Sequence, residues 1–380
     1  MSRHEIMQQV RREVAAVIEP MAQAHVADGH ILHFFHLRTR SAGLRSYFGY
    51  EVARSLKAPL EEVIPFLAAV ELSIISLYAF NQILDNKSYG NEPEEVRRMV
   101  IGGNMAKDLM NLAILQNYPQ GRAERLLSVL NEVHRLFYHG QYLHNIYWPS
   151  GGTQLLADPP FSVPDIISEL AGICLDRARP NSITTGEWEA FRRRQIVRLY
   201  LVNGHFFGAI GRAIVTEWGG AWKQEVASFE RAGCMIGIGE MVVNDFMDFM
   251  LPSLEVESSF KTVGDFFSDL KGGVETLPLF LALHNPGAVT TRIMWEKARK
   301  GCASLTLEDM GISVAELCEH AIMRTTLEVA ARMMQLAFQQ FPSTWSPADG
   351  GLMELRDMPF RNKYFTHLAQ WWRAKSGKRL

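Results

Sequence analysis

Four long segments constrain this chain more than anything else in it: "EEVIPFLAAVELSIISLYAFNQIL", "RLLSVLNEVHRLFYHGQYLHNIY", "QIVRLYLVNGHFFGAIGRAIV" and "FERAGCMIGIGEMVVNDFMDFM". Each is apolar-rich over a length beyond that of an ordinary strand, and none alternates apolar with polar residues as a half-buried strand does. Helices this apolar must cover one another, so the expected fold class is all-α. With 47% of its 380 residues hydrophobic, the chain can fill a substantial core. There is no tandem repeat or low-complexity tract. The weakest stretch is 148–186, rich in Pro, Gly and Ser, with one short expected helix, "DIISELAGICL". Strong helices on either side need each other to bury their faces. The stretch therefore reads as an irregular insertion within a single domain over residues 1–380.

Composition narrows the function classes. A formal net charge of −2 gives no sign of a nucleic acid or an anionic membrane as partner. Cys174, Cys234, Cys302 and Cys318 are scattered, with neither a CxxC pair nor a disulfide framework. The amphipathic N-terminus lacks the apolar core of a signal peptide, and "VIPFLAAVELSIISLYAF" carries Pro65 and Glu71, which suits a buried helix better than a membrane span. The expectation is a cytoplasmic protein without a transmembrane segment. No GxSxG elbow, HExxH helix or phosphate-cradling glycine loop is present. His30, His33 and His36 have i, i+3 spacing, but no neighbouring Cys or acid completes a zinc set.

The chemistry-bearing stretch is "VVNDFMDFM", residues 242–250. On a helix Asp245 and Asp248 share a face, with Asn244 beside them. An apolar helix does not bury two acids without partners, because a desolvated carboxylate is costly. A metal, a cation and water are all possible partners at this stage, and solvated surface is the plain alternative. If the two acids face Asp85 across a cleft, the like charges repel unless a cation is present, and Asp248→Asn would then abolish turnover, leave the helical fold intact and raise the melting temperature in metal-free buffer.

Read in order, four segments resemble the trans-isoprenyl diphosphate synthase family, related to class I terpene synthases. Where that family has "ExxHxxxLxHDDxxD", this chain has "ELSIISLYAFNQILD", from Glu71 to Asp85. Its "GQxxD" is here Gly140, Gln141, Tyr142, Leu143, His144. Its second DDxxD is Asn244, Asp245, Phe246, Met247, Asp248. Its "DLxxGKxTLPxxxAL" is "DLKGGVETLPLFLAL", Asp269 to Leu283. The resemblance covers about residues 35–285. It implies a bundle of antiparallel helices around a central apolar cavity, a homodimer, and magnesium held by two carboxylate clusters that draws off a diphosphate. In those terms the metal ligands are Asn81, Asp85, Asn244, Asp245 and Asp248, with Asp85, Asp245 and Asp248 the catalytic acids. Arg45, Asn81, Gln82, Gln141, His144, His205 and Phe206 are the implied substrate contacts.

The departures from the family pattern run in one direction. Asn81 and Gln82 stand where the first motif's leading acids belong, and Ile74 replaces its histidine. The "GGKRLRP" segment is reduced to "RSAGLRS", in which Ala42 replaces the lysine and Arg45 remains. Val202 and Val274 occupy two further lysine positions, and the arginine pair after the first motif is absent from "NKSYGNE". Acids and phosphate-binding cations have thinned together. Three readings follow. The chain is a class I cyclase or a prenyltransferase with an unusual acceptor, rather than an ordinary elongator. It acts by proton transfer on a less charged isoprenoid. Or it is a non-catalytic partner subunit in a heteromer with an active prenyl synthase. The basic end, with Lys375, Lys378 and Arg379, reads as a solvated tail, or as a source of replacement cations along with Lys261 and Lys271.

Overall fold

A computed structural model describes residues 3–41, 43–84, 93–147, 162–251, 267–300, 305–345, 352–357, 359–360 and 363–380. Among these residues every regular element is helical, as the missing alternation predicts. The α-helices are α1 (Arg3–His25), α2 (Gly29–Ser41), α3 (Leu44–Ser55), α4 (Leu60–Leu84), α5 (Pro93–Asn117), α6 (Gln120–Tyr142), α7 (Asp165–Asp176) and α8 (Thr185–Leu199). They continue as α9 (His205–Trp218), α10 (Val226–Asp248), α11 (Ser268–Gly272), α12 (Leu277–Leu283), α13 (Val289–Arg299), α14 (Leu307–Glu319), α15 (Ile322–Gln340) and α16 (Lys363–Ser376). Two π-helical turns, Leu143–Tyr147 and Tyr200–Gly204, follow α6 and α8. The chain sorts into two compact units. One comprises Met1–His139, His205–Cys234 and Ala337–Leu355; the other comprises Gly140–Gly204, Met235–Leu336 and Arg356–Leu380.

In the first unit α4 is the central helix. It packs against α5, α3 and α1, and it is buried nearly all round because its sequence has no polar face. It is the one described helix long and apolar enough to cross a membrane, and 78% of its most apolar window lies inside the protein. Pro65 lacks an N–H and interrupts the helical hydrogen-bond ladder. Tyr118 of the α5–α6 connection repairs the break: its hydroxyl donates to Glu62 O at 2.6 Å and accepts from Phe66 N at 2.9 Å. On α9, a Cβ at Gly208 would stand 2.3 Å from Cys234 Sγ, and on α10 one at Gly233 would stand 2.5 Å from Phe207 O. Glycine is needed there so that two backbones can touch. Phe48 of α3 meets Phe207 at 5.6 Å between ring centroids. Burying each such side chain stabilises the unit by about 1.5–3 kcal/mol.

In the second unit α8 starts at a capping box. Thr184 Oγ1 accepts from Glu187 N, and the Glu187 carboxylate accepts from Thr184 N, so two orphan donors are satisfied. Trp188 and Phe191 then face inward, and Phe191 stacks on Phe280 of α12 at 3.7 Å. The α7 helix coincides with the expected "DIISELAGICL", and residues 148–161 of the expected insertion lie outside the described residues. Tyr364 of α16 bridges the end of α10: its hydroxyl donates to Phe249 O at 3.0 Å and accepts from Leu251 N at 3.3 Å.

Candidate functional site

The site residues are distributed over both units. In the first, α3 begins after Gly43, whose φ of +148° favours glycine. Arg45, in the first turn of α3, is half-buried. Its guanidinium lies 5.2 Å from the Phe206 ring centroid and 5.6 Å from that of Phe207. One residue on, Ser46 Oγ donates to the carboxylate of Glu71, which is fully buried. Burial lowers the pKa of the Arg11 guanidinium, and the charge of Glu71 partly offsets that.

Further along α4, Asn81 is half-buried and Gln82 is buried. Among the described residues the Oε1 of Gln82 has no hydrogen-bond partner. Asp85 lies outside the described residues. The histidine of this neighbourhood is His134 of α6, which the sequence reading missed: its Nε2 meets Ser73 Oγ at 2.8 Å. Burial pushes its pKa down to about 3, with Lys107 adding to the effect, so the ring is neutral at physiological pH. His205 is also buried, and desolvation carries its pKa down to about 4 against the opposing pull of Glu132, 3.9 Å away. Arg212 pairs with that same Glu132 and with Glu230. Phe206 is buried beside His205.

In the second unit Gly140 allows the end of α6 to approach the second π turn, since a Cβ there would lie 2.9 Å from Val202 Cγ2. Gln141 Oε1 accepts from Asn145 Nδ2 at 2.6 Å, and His144 is buried. The acid pair has specific partners. Arg198 of α8, 1% exposed, grips both carboxylate oxygens of Asp245, 0% exposed, at 3.0 Å on one side and closer on the other. The same guanidinium donates twice to Gln195 Oε1, whose amide in turn donates to Glu275 O. Asp248 points elsewhere: it caps α11. Its Oδ1 accepts from Ser268 N at 2.9 Å and Ser268 Oγ at 2.7 Å, and its Oδ2 accepts from Asp269 N at 3.1 Å. Asn244 is exposed. Val202 and Val274, at the lost lysine positions, are buried apolar residues. Asn203 Nδ2 donates to Gly237 O at 2.7 Å and Glu240 Oε2 at 2.5 Å.

These contacts test whether the second motif suits magnesium. That ion needs hard oxygen ligands in a cleft that also holds several waters. Asp245 and Asp248 are at most 3% exposed, and both carboxylates already accept charged or backbone donors. A guanidinium at the site also repels a dication. The second motif therefore does not fit the metal. Among the described residues no group of three or more His, Cys, Asp or Glu is arranged to hold an ion, the His30–His36 face included. Of the basic end, Lys378 pairs with Glu319 and Lys375 lies 5.0 Å from the Trp371 ring, while Lys261 lies outside the described residues.

Sequence reading also missed Arg198, Gln195, Asn203 and Glu240. The one available signal was an arginine in the apolar run "QIVRLYLV", one helical turn before the vacated lysine position at Val202.

No protein-family model matches the chain, and no curated protein sequence matches it. Solved structures do. A polyprenyl synthase from Caulobacter crescentus, complexed with calcium and isoprenyl diphosphate, is similar at 16% identity and a TM-score of 0.66, over 95% of this chain and 98% of that one. A geranylgeranyl pyrophosphate synthase from Corynebacterium glutamicum, complexed with isoprenyl diphosphate and magnesium, is similar at 13% identity and a TM-score of 0.63, over 96% and 100%. A geranylgeranyl pyrophosphate synthetase from the archaeon Geoglobus acetivorans is similar at 14% identity and a TM-score of 0.60, over 95% and 99%. The chain has the all-α trans-isoprenyl diphosphate synthase fold over nearly its whole length.

Proposed function

We propose that this chain is an isoprenoid-processing enzyme that takes a prenyl diphosphate, as a class I cyclase or a prenyltransferase with an unusual acceptor, and is not an ordinary chain elongator. The observation that carries the proposal is the Arg198–Asp245 pair. It puts a built-in cation where the resemblance implies a metal-binding acid, while Arg45, the arginine retained from the segment that resembles the family's diphosphate-binding stretch, lies over the buried rings of Phe206 and Phe207. The fold match over nearly the full length supports a single domain of residues 1–380. If a divalent ion serves the reaction, the ligands left to it are Asn81, Gln82 and Asp85. Neutral His205 lies within the same unit as Arg45, and with its basicity lowered by burial it suits accepting a proton from a strong acid such as a carbocation.

A second reading follows from the same pair. With both second-motif carboxylates engaged, a non-catalytic subunit that associates with an active prenyl synthase is consistent with the geometry. One experiment separates the two. The purified chain is given geranyl, farnesyl or geranylgeranyl diphosphate, with magnesium or with EDTA, and pyrophosphate and hydrocarbon are measured. It is also given labelled isopentenyl diphosphate with an allylic primer. The enzyme reading expects pyrophosphate release without a lengthened product. Efficient elongation would refute the proposal. Silence on every substrate, together with a changed product length when a host prenyl synthase is added, would establish the subunit reading.

A further inference from the structure

Away from all of these residues, the second unit contains a cavity of about 280 Å³ between the C-terminal end of α7 and the face of α15, with Phe360 at its edge. Two guanidinium groups line it, Arg177 and Arg332, and among the described residues neither has a carboxylate partner. The acid in the wall, Glu328, is paired to Arg324 at 2.8 Å. Arg332 Nε is buried without a hydrogen-bond partner among the described residues, and one of its terminal nitrogens makes only a 3.4 Å contact to Gln335 Oε1. Thr325 adds a hydroxyl to the wall. Both arginine charges act on the fully buried Cys174 thiol beneath: burial pushes its pKa up to about 12, and each guanidinium pulls against that rise. Both cations line the same cavity.

A buried donor without an acceptor is costly, and two guanidinium forks lining one cavity match the oxygens of a phosphate. We propose that this cavity is a binding site for a small multivalent oxyanion, a phosphate or diphosphate group, held by Arg177 and Arg332 with Thr325 and Gln335. The half-exposed ring of Phe360 offers a short apolar wall to whatever carries the anion. The volume lies at the low end for ligand sites, which suits a head group rather than a nucleotide.

The test is calorimetric titration of the full chain with inorganic pyrophosphate and inorganic phosphate, with acetate as a monovalent control. It is done in EDTA so that no metal-dependent site contributes. Wild type is expected to bind pyrophosphate saturably, and Arg177→Gln and Arg332→Gln are each expected to weaken binding by about tenfold or more, with melting temperatures unchanged. Arg332→Lys, which keeps the charge and loses the fork, should fall between. Competition by geranyl diphosphate would assign the site to the head of an isoprenoid, and its failure to compete would assign it to the free ion. Absence of saturable binding in wild type, or equal affinity in the glutamine variants, would overturn the proposal. Neither arginine belongs to the reaction-site residues, so turnover on a prenyl diphosphate should survive both changes. Loss of binding with turnover intact separates this site from the proposed function.

Discussion

Removing Arg198 tests the reading of the acid pair most directly. In Arg198→Met the carboxylate of Asp245 stays fully buried and loses both of its guanidinium bonds, and Gln195 Oε1 loses its donor as well. Breaking one side of a buried pair typically costs about 3–5 kcal/mol, because the carboxylate charge loses the charge-assisted bonds that offset its burial. Replacing both partners with apolar residues of similar size removes that charge altogether. Arg198→Met/Asp245→Leu should therefore lie within about 2 kcal/mol of wild type, giving a coupling energy of at least about 3 kcal/mol. The assay is urea denaturation of wild type, both single variants and the double variant, followed by circular dichroism and tryptophan fluorescence. Single-variant costs that add to the double-variant cost within about 0.5 kcal/mol would show that the two residues act independently, and the reasoning would fail.

Asp248→Asn should destabilise the protein by about 1–3 kcal/mol in metal-free buffer, because an amide nitrogen would face Asp269 N–H where an oxygen now accepts. This reverses the sign expected of two repelling acids, and a raised melting temperature would refute the capping role. His134 and His205 have folded pKa values of about 3 and about 4, below the usual 6.5, so the unfolded chain takes up their protons first as the pH falls. Their contribution is intact above pH 6.5 and is lost from there down to the folded values, at about 1.4 kcal/mol per pH unit for each residue. Unfolding free energies measured from pH 7 to pH 5 should thus fall less steeply for His134→Asn than for wild type, and an unchanged slope would contradict its buried neutral state. Tyr118→Phe should cost about 1–3 kcal/mol by leaving Glu62 O and Phe66 N unpaired beside Pro65, and a loss below about 0.5 kcal/mol in denaturant titration would rule the hydroxyl bridge out.

Helical character was legible in the residues because its signals are local. Apolar spacing marked α4, α6, α9 and α10, and the motif order pointed to the fold that the solved structures share. The partners of the acid pair were not legible. Arg198 lies 47 positions from Asp245, and Ser268 lies 20 from Asp248. The π turn at Tyr200–Gly204 ends the 3.6-residue period of α8, so that period cannot be carried through it. Both acids lie on one helix within a single turn, yet one meets a guanidinium and the other a helix start. A carboxylate in an apolar run announces only that some partner must exist, since burying it alone is too costly. Which partner it meets depends on the rotation and crossing of helices distant in sequence, and those follow from packing of the assembled core rather than from any local pattern.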